Sequence, residues 1–119
     1  MATHDYKKLD VWKRSIDLVV GVYEIVNLLP ELEKYALSDQ IRRAVVSIPS
    51  NIAEGQKRSG KKETVQFTYI ALGSLAELET QLIIAEKIYL VDASSALQEC
   101  EIIGRMLTAL AKSLKVNIS

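Results

Sequence analysis

The sequence predicts an all-α protein, folded as an up-down-up-down antiparallel four-helix bundle. Apolar residues recur at alternating spacings of three and four over four long stretches, which is the period of an amphipathic helix. The connections between these stretches are short, so consecutive helices must lie antiparallel to each other. The 119 residues include only five glycines and two prolines, which leaves little material for turns. A chain of this length predicts a single domain over residues 1–119.

The first two predicted helices cover residues 10–29 and 38–54. The first stops at Pro30, which cannot continue a helix. Its main apolar positions are Trp12, Ile16, Val19, Tyr23 and Val26. The second begins at Ser38, a residue type that caps helix N-termini, and ends at Gly55, which suits a left-handed C′ position. Its apolar positions are Leu37, Ile41, Ala44, Ile48 and Ile52. Pro49 lies inside this pattern, so we expect a kink or break there.

The third and fourth predicted helices cover residues 61–90 and 93–115. The third is about 45 Å long at 1.5 Å per residue. Its core stripe consists of Phe67, Ala71, Ser74, Leu78, Leu82, Ala85 and Tyr89. The core positions of the fourth are Ala96, Cys100, Ile103, Leu107, Leu110 and Leu114.

Composition and charge exclude several classes of protein. Fifteen basic and fifteen acidic side chains give a net charge of zero, which argues against a sequence-independent grip on polyanions. Charged residues interrupt the first thirty positions and no apolar run approaches 20 residues, so we expect neither a secretory signal nor a membrane span. The lone Cys100 forms no internal disulfide, which suits the cytoplasm. The single histidine, His4, excludes a His-based triad or multi-His metal site within one chain.

Two predicted helices carry more apolar surface than one bundle can cover. The first has a second stripe beside its main one, and the third has a second stripe nearly opposite its core stripe. The residues that predict an oligomer interface are Leu18, Val22 and Ile25 in the first helix and Val65, Tyr69, Leu72, Ala76 and Ile83 in the third. Scattered surface hydrophobic residues and a membrane-surface helix are the alternatives, but aligned stripes favour contact between copies of the chain.

A line of polar residues follows the second helix beside its apolar stripe. It comprises Gln40, Arg43, Ser47, Asn51 and Glu54. We expect Arg42 or Arg43 to pair with Glu77 or Glu79 on the third helix. We also expect Asn51 to hydrogen-bond to that helix. Such lines fix helix register more often than they perform chemistry.

The same polar residues give no sign of catalysis. The chain has no nucleophile with a supporting histidine or lysine. Glu77 and Glu79 lack the histidines that accompany glutamates in di-metal bundles. The sequence therefore predicts no enzyme, no metal, no cofactor and no small-molecule substrate.

Basic residues gather where the start of the first helix meets the loop between the second and third. They are Lys7, Lys8, Lys13, Arg14, Lys57, Arg58, Lys61 and Lys62. Four acidic residues, Asp5, Asp10, Glu54 and Glu63, leave this end with a net charge of +4. In a ring of subunits such ends would add into a collar that binds RNA or DNA phosphates. Solvated charge at helix ends is the alternative, and the loop has no aromatic residue for base stacking.

Several motifs resemble one family of bacterial proteins. They are Leu9 with Trp12, the segment PELEKYAL at 30–37, QIRRA at 40–44, SIPSNIAEG at 47–55, and Ala71, Gly73, Ser74, Glu77 and Glu79. Together they are similar to the 23S rRNA-intervening sequence proteins. The resemblance implies a cytoplasmic four-helix bundle that assembles as a ring-like homopentamer. It also implies a relation to accessory proteins of diversity-generating retroelements, which use a basic surface to bind nucleic acid and a reverse transcriptase.

These observations lead to a function hypothesis with alternatives. The first is a non-enzymatic homopentameric bundle that acts as a nucleic-acid-associated or scaffolding accessory protein. The second is a protein–protein interaction adaptor without nucleic-acid affinity. An enzyme with a site between subunits is the third.

Overall fold

Four long helices make up the computed structural model, which describes residues 5–116. They are α1 (Asp10–Val26), α2 (Leu37–Gln56), α3 (Lys61–Tyr89) and α4 (Ser94–Val116). Short 3-10 turns at Tyr6–Lys8 and Glu31–Glu33 precede α1 and α2. The described residues contain no strand, and His4 lies outside them.

The helices pack in cyclic order around one core. α1 packs against α2 and α4, and α3 packs against the same two helices. The diagonal pairs, α1 with α3 and α2 with α4, make no close backbone contact among the described residues. With short connections between consecutive helices, this arrangement is an antiparallel bundle measuring 49 × 20 × 19 Å. The prediction of an all-α four-helix bundle is confirmed.

The core faces of α2 and α4 follow the apolar period of the sequence. On α2 the buried set includes Ile41, Ala44, Ile48 and Ile52. On α4 it includes Ala96, Cys100, Ile103 and Leu107. α2 also runs through Pro49 without a break, and the proline is itself buried.

The core face of α1 differs from the prediction. Leu18, Val22 and Ile25, expected at an oligomer interface, are buried in the chain's own core. Ile16 and Tyr23, expected in the core, are exposed. Both stripes are apolar, so the period alone cannot choose between them. The structure buries the stripe that lets α1 contact α2 and α4 together.

Helix ends also differ from the prediction in detail. α1 stops at Val26, because residues 27–29 form a turn before Pro30. α2 begins at Leu37, whose N–H donates to the Glu33 carboxylate at 3.1 Å, so Ser38 is not the cap and is buried inside the helix. α3 ends where Leu90 adopts a left-handed φ of 57°.

Gly55 sets the close approach of α2 to α3. It lies inside α2 and has no positive φ, so it is not the left-handed C′ residue that the sequence suggests. A Cβ atom at Gly55 would lie 2.8 Å from the Cβ of Phe67 and 3.4 Å from the carbonyl oxygen of Thr64. The Thr64 hydroxyl donates to the Gly55 carbonyl at 2.9 Å. Glycine is therefore required here for packing.

Candidate interaction surfaces

α3 carries two lines of residues with the same heptad-like spacing of four and three. The inner line is buried and consists of Thr64, Thr68, Ala71, Leu75, Leu78, Leu82 and Ala85. The second line, which we term the outer seam, consists of Lys62, Gln66, Tyr69, Gly73, Ala76, Thr80, Ile83 and Lys87. Every member of the outer seam is exposed. Such a spacing on a solvent face is typical of a helix that packs against another helix.

The predicted α3 interface residues divide into three groups. Tyr69 and Ile83 are 46% and 43% exposed, and Ala76 lies between them on the outer seam. Leu72 is half-buried against the core. Val65 is buried, so its assignment to an interface is wrong.

Three exposed isoleucines beside the outer seam escaped the sequence analysis. They are Ile70, Ile84 and Ile88, at 48%, 40% and 60% exposure. Ile70 and Ile84 are two heptads apart, a signal that the sequence does contain. Together with Tyr69 and Ile83 they give α3 five large exposed apolar side chains.

A further apolar face lies on α1 and continues onto α2. Ile16, Val20 and Tyr23 are exposed on α1, and Val46 is exposed on α2. Tyr23 and Val46 line an open groove of about 600 Å³ between the two helices. The predicted polar residues Arg42, Arg43, Ser47, Asn51 and Glu54 line the same groove.

The hydrogen bonds of this polar line are local to α2 and the connection before it. Arg43 donates to the Asp39 carboxylate at 2.9 Å, and Arg42 lies 3.8 Å from the same carboxylate. Arg42 also donates to the carbonyl of Lys34 at 2.9 Å. The predicted ion pair to α3 is therefore wrong, because a carboxylate one turn away on α2 binds both arginines. Gln40, at the start of the line, is exposed.

The predicted partners on α3 make other contacts. Glu77 accepts a hydrogen bond from Gln81 at 3.3 Å. Glu79 faces α4, where burial and the nearby charge of Glu101 raise the pKa of its carboxyl group. Asn51 donates to the carbonyl of Ser47 at 2.7 Å, so its predicted bond to α3 is also wrong.

The predicted basic residues stand at the start of α1 and around the loop between α2 and α3, and the Tyr6–Lys8 turn contacts α2, as expected if they share one end of the bundle. The two arginines among them already pair with carboxylates of the same chain. Arg14 makes two hydrogen bonds to Glu99 of α4, at 2.7 and 3.1 Å, which raise the pKa of the arginine. Arg58 lies between Glu54 and Glu63 and over the ring of Phe67.

The remaining lysines of this end are accessible. Lys7 stacks on the ring of Tyr6, with its ammonium 5.9 Å from the ring centroid. The others are exposed and make no ion pair with another residue of the described range 5–116; they are Lys8, Lys13, Lys57, Lys61 and Lys62. The accessible cations of this surface are therefore lysines, because both arginines pair with carboxylates within the chain.

An elongated groove of about 730 Å³ separates α1 from the start of α4. Its floor is formed by Leu18, Gly21, Ile25 and Ala96. Four carboxylates line it, from Asp17, Glu24, Asp92 and Glu99. The only cation in its lining is Arg14, which is bonded to Glu99. We refer to it as the α1–α4 groove.

The described residues show no assembly of catalytic groups. The Cys100 thiol is fully buried, and burial raises its pKa to about 12, so it is no nucleophile in the folded chain. No three His, Cys, Asp or Glu side chains within residues 5–116 are close enough to share a metal ion. None of the helices in that range has the length and apolarity needed to cross a bilayer.

Comparisons with known proteins agree with this fold. The family model for the 23S rRNA-intervening sequence protein matches residues 7–109. A crystal structure from Bacteroides thetaiotaomicron, described as a protein of unknown function from the S23 ribosomal protein family, superposes with a TM-score of 0.79. It is 23% identical, and the match covers 86% of this chain and 98% of that one. The curated proteins contain no match.

Proposed function

The chain belongs to the 23S rRNA-intervening sequence protein family, as its motifs suggested, and from that premise we propose that it is a non-enzymatic cytoplasmic protein that works as a homo-oligomeric scaffold. The resemblance of its motifs to that family implies five subunits in a ring. The observation that carries the proposal is the exposed apolar face of α3.

This face groups several large apolar side chains in water on one helix. Hydrophobic residues scattered singly are normal on a monomer, whereas grouped ones mark interaction sites. The five large side chains concerned are Tyr69, Ile70, Ile83, Ile84 and Ile88. Removing the exposed part of each from water contributes about 1 kcal/mol, or about 5 kcal/mol for the face. That gain is set against the entropy lost on association, so a contact between copies needs further apolar area such as the α1 face provides.

The proposal is tested by the mass of the protein in solution. We expect native mass spectrometry and light scattering at micromolar concentration to give several chain masses. The double variant Ile84→Glu/Ile88→Glu should lower that mass without loss of helicity, since both side chains point away from the core. Leu32→Glu/Tyr35→Glu is the matched control, because it places two negative charges at exposed apolar sites in the connection before α2, outside the faces of α1 and α3. A monomeric unmodified protein would refute the proposal.

A second candidate function, contact with nucleic acid, is favoured by the accessible lysines at one end of the bundle. Assembly into a ring would bring the lysines of several copies together, which strengthens attraction for phosphates although each chain is neutral. The absence of aromatic residues in the 57–60 loop favours contact with the phosphate backbone over base stacking.

This candidate is tested by titrating labelled structured RNA and duplex DNA at about 50 and 200 mM salt. We expect an affinity that falls with salt and is lost in a Lys57→Ala/Lys61→Ala/Lys62→Ala variant. The matched control is Lys34→Ala/Lys87→Ala, which removes exposed lysines far from this end. No binding at the lower salt concentration would leave the protein-interaction adaptor as the function.

A further inference from the structure

Gly21 lies in the middle of α1 with no partner that explains it. A Cβ atom there would meet no atom within 4 Å. A glycine inside a helix is less stable than alanine by about 1 kcal/mol, so it is usually kept where another backbone approaches closely. Within this chain no backbone does so. Gly21 forms part of the floor of the α1–α4 groove.

Gly73 repeats this situation on α3. It also lies inside a helix, where a Cβ atom would meet no atom within 4 Å, and it is the fourth of the eight members of the outer seam. The two glycines therefore mark two surfaces of different shape. One is a concave groove and the other is a convex helix ridge.

The charges of the two surfaces are complementary. The α1–α4 groove has four carboxylates, and its one cation is already bonded to Glu99. The outer seam contains no carboxylate, and its charged members are Lys62 and Lys87. Lys115 of α4 adds a third cation, with its ammonium 4.7 Å from the centroid of the Tyr69 ring.

The positions of the charges relative to the two glycines also match. Asp17 and Glu24 line the groove four and three residues from Gly21, about 6 and 4.5 Å along α1 at 1.5 Å per residue. Tyr69, whose ring the Lys115 ammonium approaches, lies four residues from Gly73, about 6 Å along α3. With the two glycines in contact, Lys115 therefore lies level with one of these two carboxylates.

We propose that the outer seam of one copy lies in the α1–α4 groove of the next copy, with Gly73 packed over Gly21. The inference rests on the proposed homo-oligomer and names its two contacting surfaces. Because the surfaces differ, the contact is heterologous: each copy offers one groove and one seam. Repetition of such a contact gives a ring when the rotation between copies closes.

Cysteine cross-linking tests the contact directly. The double variant Gly21→Cys/Gly73→Cys is treated with a short bismaleimide and separated under denaturing conditions. Every contact between copies then pairs a Cys at position 21 with a Cys at position 73. We expect a ladder of covalent multimers, whose highest rung gives the number of subunits. The native Cys100 stays in place, since it is buried, and the unmodified protein gives the background.

The single variants distinguish the possible outcomes. Neither Gly21→Cys nor Gly73→Cys alone should cross-link, because a heterologous contact does not bring identical positions together. Dimers from Gly73→Cys alone would show that α3 meets α3, which overturns this inference and leaves the oligomer intact. The absence of any ladder from a protein of oligomeric mass would overturn it in the same way. A monomeric mass would overturn the proposed function as well.

A steric variant supplies an independent measurement. Gly21→Leu places a large side chain on the groove floor at a position where its Cβ meets no atom of its own chain, so the helicity should be kept. We expect the mass in solution to fall by at least twofold at micromolar concentration. Gln98→Leu, an equally apolar change at an exposed site of α4 outside the groove, should leave the mass unchanged. An unchanged mass for Gly21→Leu would refute the inference.

Discussion

The substitution Gly55→Ala tests whether close packing between α2 and α3 depends on a missing side chain. Alanine is the better helix former by about 1 kcal/mol, so propensity alone predicts a more stable protein. The structure predicts the opposite. The added Cβ would lie 2.8 Å from the Cβ of Phe67, an atom fixed to the α3 backbone that no rotamer change can move.

The size of the effect follows from that distance. Carbon atoms in contact prefer a separation of about 3.5–4.0 Å, so α2 and α3 must move apart locally by close to 1 Å. The same movement stretches the 2.9 Å hydrogen bond from Thr64 to the Gly55 carbonyl. Overpacking that the backbone must absorb costs about 3 kcal/mol. After the gain in propensity, we expect a net loss of about 2 kcal/mol, which lowers the melting temperature by about 6–12 °C.

Thermal unfolding followed by circular dichroism, at a concentration low enough to keep the protein monomeric, measures this loss. Gly21→Ala is the matched control: the same change inside a helix, but with no atom in reach of the new methyl group. It should raise the melting temperature by about 3–6 °C. The two variants share the propensity gain, so their difference isolates the contact with Phe67. Equal shifts of the same sign would refute the reasoning.

Three further predictions concern titratable groups. Cys100 should resist iodoacetamide at pH 8 until the protein is unfolded by urea, because burial raises the pKa of its thiol to about 12. The exposed thiol of the unfolded chain has a pKa of about 8.5 and loses its proton first, so the free energy of unfolding should fall as the pH rises between these two values. The carboxyl group of Glu79 has a raised pKa in the folded protein, so the free energy of unfolding should increase as the pH falls through that pKa. Glu79→Gln should therefore stabilise the protein at pH 7 and weaken the pH dependence of its stability. Arg14→Met should lower the midpoint of urea unfolding, and more at low salt than at high salt, since it leaves the Glu99 carboxylate without its partner. Lys13→Met, which removes an exposed cation, should leave the midpoint unchanged; equal midpoints for the two variants would contradict this.

The four helices could be predicted because their periodic signal is long and their connections are short. The core faces of α2 and α4 could be predicted as well. The buried line of α4 is apolar, as with Ile103 and Leu107, and that of α2 is apolar through Ile41 and Ile48, with the one polar member Ser38 at its start. The pattern of the sequence and the buried face then coincide.

The core faces of α1 and α3 were harder to predict from the sequence because polar residues lie within their buried lines. Ser15 is fully buried on α1, and Thr64 and Thr68 are buried on α3. Their hydroxyl groups donate to backbone carbonyls, Ser15 to Trp12 at 2.6 Å and Thr68 to Thr64 at 2.8 Å. A hydroxyl bonded in this way loses little on burial. A search for apolar residues misses such positions and favours the neighbouring stripe.

The side-chain pairs could not be predicted from the sequence because local and distant partners compete. The sequence places Arg43 near both Asp39 on its own helix and Glu77 on α3, and the nearer carboxylate binds it. Arg14 and Glu99 are 85 residues apart and meet because α1 and α4 are neighbours in the bundle. Only the packing of the helices reveals that pair.

The glycines show how far the structure extends the argument from the sequence. All helix-interior glycines look alike in the sequence, and each is a loss of about 1 kcal/mol relative to alanine. The structure separates them. A Cβ at Gly55 would meet Phe67, and one at Gly104 would lie 3.3 Å from Leu75, so contacts within the chain account for both. Gly21 and Gly73 have no such contact and lie on surfaces of complementary shape and charge. The loss at these two positions is offset only if the groove and the outer seam pack against something outside the chain, and a second copy supplies both surfaces at once.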